Sequence, residues 1–279
     1  MITTSAELEE LIDGTVGIPT IPTVLTEISA IVASPDGSAK EAAKVIEKDP
    51  AIATRALRLV NSSFYGLKNR VASINLACSI LGLKVIKNLV VQASILQSFG
   101  DGESKGFDAD SLWDHSIKTA VACRLLAKHA NITQSLSLED AYTSGLIHDI
   151  GKLVLIDGQA ERFGEALQLS RAAEAPLAHA EVEIFGFNHA HVGGLLASRW
   201  NLPPNVQAAV MFHHTPATNA EDWSRGFLVN AANSYAHMAA KSERGWRGDV
   251  LDEDALAALG LSEEQHRQIL AVTAEASME

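Results

Sequence analysis

The sequence predicts an all-α fold, and three observations carry that prediction. Thr4-Ser5-Ala6-Glu7, Ser38-Ala39-Lys40-Glu41 and Ser262-Glu263-Glu264-Gln265 each fit a capping box, in which a hydroxyl and a side chain three residues later satisfy the free N–H groups of a helix start. Apolar residues recur at helical spacing, as in Ile52, Ala53, Ala56, Leu57 and Val60. No stretch shows the period-two alternation of a half-buried strand.

The elements follow in order. Gly17-Ile18-Pro19-Thr20-Ile21-Pro22 cannot be helical, because each proline pushes its predecessor into extended geometry, and it leads into a helix from near Thr23. Ser34-Pro35-Asp36-Gly37 closes that helix, and Ala42, Val45 and Ile46 give the next one an apolar face. Asp49-Pro50 reads as an N-cap with proline at the first helical position. Asn61-Ser62-Ser63 ends that helix and Ser73 caps the following one; both fit turn chemistry, with partner binding or stabilisation of a junction as the other role open to Asn61. A long apolar helix runs from about Lys84 to Gln97, and the polar, Gly-rich run from Gly100 to Gly106 marks a subdomain boundary. Asp110 caps the helix carrying Trp113, His115, Ile117, Val121 and Leu125, and a further helix runs from Ser137 to about His148 and out into Gly151. Trp200 and Leu202 pack at a helix end, and Asn219 to about Lys241 forms one more helix with Phe227, Leu228, Ala231 and Tyr235 on its apolar face. A loop follows over Lys241–Asp249, and Leu251–Glu275 gives two short helices. The resulting division is an N-terminal helical half over residues 1–105, a helical core over 106–241 and a C-terminal extension over 242–279.

Composition narrows the function classes. The chain has 279 residues, 47% of them hydrophobic, and no apolar run long enough to span a bilayer, which predicts a soluble core without a membrane span. The first ten residues lack a basic region followed by an apolar one, so the expected location is the cytoplasm. A formal charge of -12 argues against a nucleic-acid partner, whose backbone is held by clustered Lys and Arg. Cys78 and Cys123 lie on separate predicted helices with no ligand spacing and read as buried reduced thiols.

The chemistry gathers around Gly145-Leu146-Ile147-His148-Asp149-Ile150-Gly151-Lys152. An imidazole followed directly by a carboxylate can offer one nitrogen and one oxygen to the same cation. A His-Asp pair at a helix end is also an ordinary capping arrangement, so the distant His115, His189-Ala190-His191 and His213-His214 matter. With His115 near the start of one helix and His148-Asp149 at the end of another, antiparallel packing would bring the three together.

The order His115 then His148-Asp149 in an HDIGK setting resembles the HD superfamily of metal-dependent phosphohydrolases. Asp49-Pro50-Ala51, Leu57 to Tyr65, Ile74 to Gly82, and Glu181 to Pro204 with Trp200-Asn201-Leu202-Pro203 and His213-His214 are similar to HDOD domains, the HD-related output domains of bacterial signalling proteins. This resemblance implies an HD-like helical bundle with an added N-terminal helical subdomain, and a regulatory module that binds a signalling protein or a small ligand, with no implied oligomeric state. It implies metal positions at His115, His148 and Asp149, for iron, nickel, zinc, manganese or magnesium. His189 and His213 are candidates for second-metal ligands or outer donors; His179, His191 and His237 are expected to be exposed or locally hydrogen-bonded. HD hydrolases complete the site with a late aspartate, and aligning Leu228 to Tyr235 on that pattern puts Asn233 there. An amide oxygen carries no negative charge, so the site is expected to be degenerate. If it is active, Asp149 and Lys152 are the candidate catalytic groups of a metal-dependent phosphohydrolase acting on a nucleotide or other phosphoester; Lys152 would face the phosphate or stand as a helix-end charge.

Overall fold

The computed structural model describes residues 6–14, 23–61, 67–98, 109–130, 136–214, 220–240 and 257–276, and among them it has helices and no strand. The expected features at Thr4-Ser5, Gly17–Pro22, Ser62-Ser63, Gly100–Gly106 and Lys241–Asp249, and the start of the C-terminal stretch, lie outside the described residues. The helices are α1 (Ala6–Gly14), α2 (Thr23–Ala33), α3 (Ala39–Ile46), α4 (Pro50–Val60), α5 (Ile74–Leu81), α6 (Leu83–Ser98), α7 (Ala109–His129), α8 (Leu138–Ile147), α9 (Ile150–Gly158), α10 (Ala160–Ala173), α11 (Leu177–Phe185), α12 (His189–Arg199), α13 (Pro204–Met211), α14 (Ala220–Ala239) and α15 (Glu263–Glu275).

They form two compact units, Gly17–Gly102 with Ala276–Glu279, and Met1–Val16 with Glu103–Glu275. In the first of these, α2 to α6 pack on one another through Ile28, Ile46, Ile52, Val60, Ile86 and Leu89, all buried. Local chemistry sets the helix starts. The Ser38 hydroxyl accepts from the Glu41 N–H while the Glu41 carboxylate accepts from the Ser38 N–H, the reciprocal pair the sequence predicts. Asp49 accepts from the N–H groups of Ala51 and Ile52, and Ser73 from that of Leu76. The buried stripe of α4 is Ile52, Ala56, Leu59 and Val60, with Ala53 and Leu57 only half-buried, so it is rotated slightly from the predicted face. Asn61 proves to be a tie: its amide donates to the carbonyls of Leu57 and Val71, and its Oδ1 accepts from the Val71 N–H.

In the second unit α7 and α8 are antiparallel neighbours. His115 faces His148 across them, and Gly145 meets Thr119, Ala120 and Cys123. A Cβ on Gly145 would lie 2.7 Å from the Thr119 carbonyl oxygen, so glycine is what lets these two helices close up. Every residue of α8 from Ala141 to Ile147 is buried, under α7, α13 and α14. Helices α9, α12 and α13 stack beside it, and α1 lies against α9 and α12, tied by Glu7–Arg162 and Asp13–Arg199 pairs. Asp110 falls inside the first turn of α7 rather than ahead of it. Cys78 and Cys123 are free and buried, as expected, and burial raises the Cys78 thiol to about 11. Trp200 is the C-cap of α12 and is buried with Leu202, whose N–H reaches the Ala197 carbonyl through a left-handed Asn201. Ser262 and Gln265 form the predicted reciprocal cap of α15. No helix is long and apolar enough to cross a membrane among the described residues.

Candidate metal centre

The site is built on a break between two helices. The expected helix end at Gly151 is corrected here: α8 stops at Ile147, His148 and Asp149 form the turn, and Gly151 lies inside α9. Its role is close approach, since a Cβ there would stand 2.0 Å from the His189 carbonyl oxygen. That contact brings the start of α9 onto the start of α12, and so Asp149 onto His189.

Asp149 is buried and bridges two groups of imidazoles. Its Oδ2 lies 3.3 Å from His148 Nε2 and 3.8 Å from His115 Nε2, and its Oδ1 lies 3.1 Å from His189 Nε2. Ligand atoms of Asp149, His189, His213 and His214 lie within 4.8 Å of one another, as do those of His115, His148 and Asp149. The rings also touch in series, with centroids 5.2 Å apart for His148 and His213 and 4.1 Å for His213 and His214. Lys152, one turn into α9, places its ammonium 2.6 Å from Asp149 Oδ2.

Ring orientation follows from what each Nδ1 meets. His148 Nδ1 is 2.8 Å from the Gly145 carbonyl oxygen and His213 Nδ1 is 2.7 Å from that of Val210. A carbonyl only accepts, so both rings donate Nδ1–H and turn Nε2 inward. His189 is held instead by a carboxylate: Glu181, fully buried on α11, accepts at Oε2 from the His189 backbone N–H at 2.8 Å and from its Nδ1 at 2.6 Å.

The electrostatics fit a cation-seeking pocket. Burial alone would raise the Asp149 carboxyl, but His148 and the Lys152 ammonium hold it well below the usual carboxylate range. Burial drives His115 and His213 well below the ordinary histidine value, helped by neighbouring imidazoles. Burial would also lower His189, but Glu181 beside it raises it overall. His148 Nε2, His189 Nε2, His213 Nε2, Asp149 Oδ1 and Asn233 Oδ1 are buried polar atoms without a hydrogen-bond partner. Such atoms are costly unless an ion or water meets them, so the residues present fit a divalent metal.

Asn233 is buried on α14. One turn before it, Asn230 donates to the His213 carbonyl at 2.9 Å; one turn after it, the His237 ring stacks 4.5 Å from that of His115. Helical spacing therefore sets Asn233 on the face of α14 bracketed by those two contacts. His237 was expected to be exposed or locally bonded; it is half-buried against His115 instead, and burial lowers it to about 4. His179 is exposed, and His191 accepts from the Asn188 N–H, both as expected.

Two residues escaped the sequence reading as site members, Glu181 and His237, and His214 was named only within the His213-His214 pair. Glu181 left one signal. With Leu177 and Phe185 it occupies the buried stripe of α11 at spacing four, where a carboxylate has no packing reason to be.

Relatives agree with this picture of the fold. An uncharacterized protein of Treponema pallidum (strain Nichols) is 27% identical over 266 residues, 94% of this chain and 50% of that one, so the chain spans about half the length of the curated relative it matches. Among solved structures, an HDOD domain protein of unknown function from Geobacter sulfurreducens is 24% identical with a TM-score of 0.73, covering 95% of this chain and 91% of its own. A signal transduction protein, so named provisionally, from Marinobacter aquaeolei VT8 is 21% identical at TM-score 0.74, covering 96% and 63%. A Shewanella amazonensis SB2B protein named provisionally as a phosphohydrolase is 24% identical at TM-score 0.69, covering 96% and 98%. Residues 18–216 match the HDOD domain, and the chain belongs to the HDOD family.

Proposed function

We propose that this protein is a cytoplasmic signal-transduction module whose HD-type pocket holds a metal ion without turning over substrate, and that it acts by binding a signalling protein or a small ligand. One observation carries the reading: the two candidate ligand groups share a single carboxylate, Asp149, and the position at which the HD pattern would supply a second is read as Asn233. A bound divalent ion supplies Lewis acidity and lowers the pKa of a coordinated water. Such an ion would be held by one carboxylate among several imidazoles, which leaves it short of the negative charge a second carboxylate would supply. Lys152 adds to this by neutralising Asp149 directly. The donor set of His115, His148, His189, His213 and His214 favours iron, nickel or zinc over magnesium, which prefers oxygen. The name of the Marinobacter structure supports a signalling context.

The experiment is metal analysis of natively purified protein with a phosphoester panel, on wild type and Asn233→Asp. Bound metal and an inert wild type, with turnover appearing in Asn233→Asp, is the expected result. Hydrolysis of a nucleotide or cyclic dinucleotide by wild type, abolished in Asp149→Ala, would overturn the reading in favour of a phosphohydrolase. That alternative is favoured by one feature, the assembly of His115, His148, Asp149 and Lys152 with His115 still reaching solvent at 16% side-chain exposure. Absence of metal, with no loss of stability in chelator, would reduce the cluster to a hydrogen-bonding scaffold.

A further inference from the structure

We propose that the first metal ion entering this pocket binds on the Oδ1 side of Asp149, among His189, His213 and His214, and that the buried Glu181 is the positioning residue that makes this the tighter side. The inference rests on the reading above that the pocket holds a metal.

The two sides of Asp149 are unequal. On the Oδ2 side the oxygen already accepts from the Lys152 ammonium at 2.6 Å, and an incoming ion must displace or face that charge. His115, the outer ligand there, stands 3.8 Å from Oδ2, and its Nε2 has the Thr119 hydroxyl at 3.5 Å. On the Oδ1 side, Asp149 Oδ1, His189 Nε2 and His213 Nε2 are all buried without a hydrogen-bond partner, whereas on the Oδ2 side only His148 Nε2 is. His189 Nε2 and Asp149 Oδ1 face each other at 3.1 Å, a separation that two lone pairs hold only with a proton or a metal ion between them, and an incoming ion takes the place of that proton.

Glu181 adds what the other imidazoles lack. His148 and His213 are oriented by neutral carbonyl groups, whereas His189 is oriented by a carboxylate that also grips its backbone N–H. That double contact fixes the ring's position and obliges Nδ1 to carry the proton, leaving Nε2 as the ligand nitrogen. The full negative charge behind the ring makes Nε2 a better donor. It also returns, one ring removed from the ion, the charge that Asn233 does not supply. Loss of an outer carboxylate of this kind typically weakens metal binding about 10–100-fold.

The test uses full-length protein stripped by chelator and titrated with Co(II) alone, read by calorimetry and by visible absorbance. Glu181→Gln keeps the side-chain shape and an acceptor oxygen, and is expected to weaken the first binding constant about 10–100-fold and to alter the Co(II) spectrum. His213→Ala is expected to remove first-site binding, whereas His115→Ala, on the other side, leaves the first constant within about twofold of wild type. Loss of the first site in His115→Ala with retention in His213→Ala overturns the proposal, and this comparison stands even if Glu181→Gln fails to fold. Unchanged affinity and spectrum in a folded Glu181→Gln overturn it as well, leaving the metal-holding reading intact. A wild type that takes up no Co(II) brings both down together.

Discussion

Gly151→Ala isolates the contact on which the site's assembly depends. A Cβ at this position would stand 2.0 Å from the His189 carbonyl oxygen and 2.9 Å from both the His189 carbonyl carbon and the Gly193 nitrogen. Real Cβ atoms essentially never approach below 3.0 Å, and these neighbours are backbone that cannot rotate away, so α9 and α12 must part by at least 1.0 Å along that line (3.0 less 2.0). Overpacking of this kind costs about 1–3 kcal/mol. For a unit of this size that lowers Tm by roughly 2–12 °C, taking about 2–4 °C per kcal/mol. The parting also stretches the 3.1 Å approach of Asp149 to His189, so metal affinity falls together with stability. Gly164 in α10 is the control, because nothing lies within 4 Å of its added Cβ. There the same change removes only the flexibility of glycine and stabilises by about 0.5–1 kcal/mol. Thermal unfolding of the two variants, with Co(II) titration of each, checks both signs. A Gly151→Ala protein as stable as wild type and equally able to bind Co(II) would refute the close-approach argument.

Other perturbations test separate parts of the account. Asn233→Asp buries a second carboxylate at an unpartnered position, so the metal-free protein should lose about 1–3 kcal/mol in urea unfolding, while Co(II) affinity should rise. The stability of metal-free protein should also fall with acid. His237, held at about 4 chiefly by burial, stays neutral in the fold while the unfolded chain takes up its proton at the ordinary value near 6.5. Its contribution is therefore lost as pH drops from about 6.5 to 4, at most about 3 kcal/mol and less for its solvent-facing edge. His115 and His213 shift in the same direction, whereas His189, raised overall, contributes below its unfolded value and loses that contribution as pH rises through its folded one. Urea midpoints at pH 7.5, 6 and 4.5 measure the sum, and an acid-insensitive midpoint would contradict it. Asn61→Ala removes two hydrogen bonds to Val71 and one to the Leu57 carbonyl, and should cost about 2 kcal/mol in the same assay.

What was legible in the sequence was what is local or periodic. Capping at Ser38, Asp49, Ser73 and Ser262 is decided within four residues, and the structure returns each as read. His148-Asp149 could be found because the two ligands are adjacent, and His115 because its spacing follows a shared pattern. Gly151 was misread because glycine after an apolar helix signals termination, whereas here its missing side chain admits a helix from far along the chain. Glu181 and His237 are partners through tertiary packing: one orients a ring eight residues away on another helix, the other stacks on a ring more than a hundred residues earlier. Glu181 and His189 are separated by a helix boundary that hides their contact, and no window of sequence contains both His115 and His237.

Asp149 shows how the fold favours the pocket over its own helix. It occupies the N-cap position of α9, where an aspartate ordinarily accepts from the helix's first N–H groups, yet it makes no such bond. Asp49, Ser73 and Asn188 all do at the heads of α4, α5 and α12. A lost N-cap costs about 1 kcal/mol, and here the carboxylate is turned away from the helix to stand between five imidazoles and one ammonium. Stability alone would select a residue that caps and leaves the ammonium in water. The uncapped helix, the unpartnered Nε2 atoms of His189 and His213 and the buried Glu181 each cost free energy in the absence of an ion, and one cation on the Oδ1 side offsets the latter two together. That coincidence of separate costs at one point is the physical reason to read the cluster as a candidate metal centre.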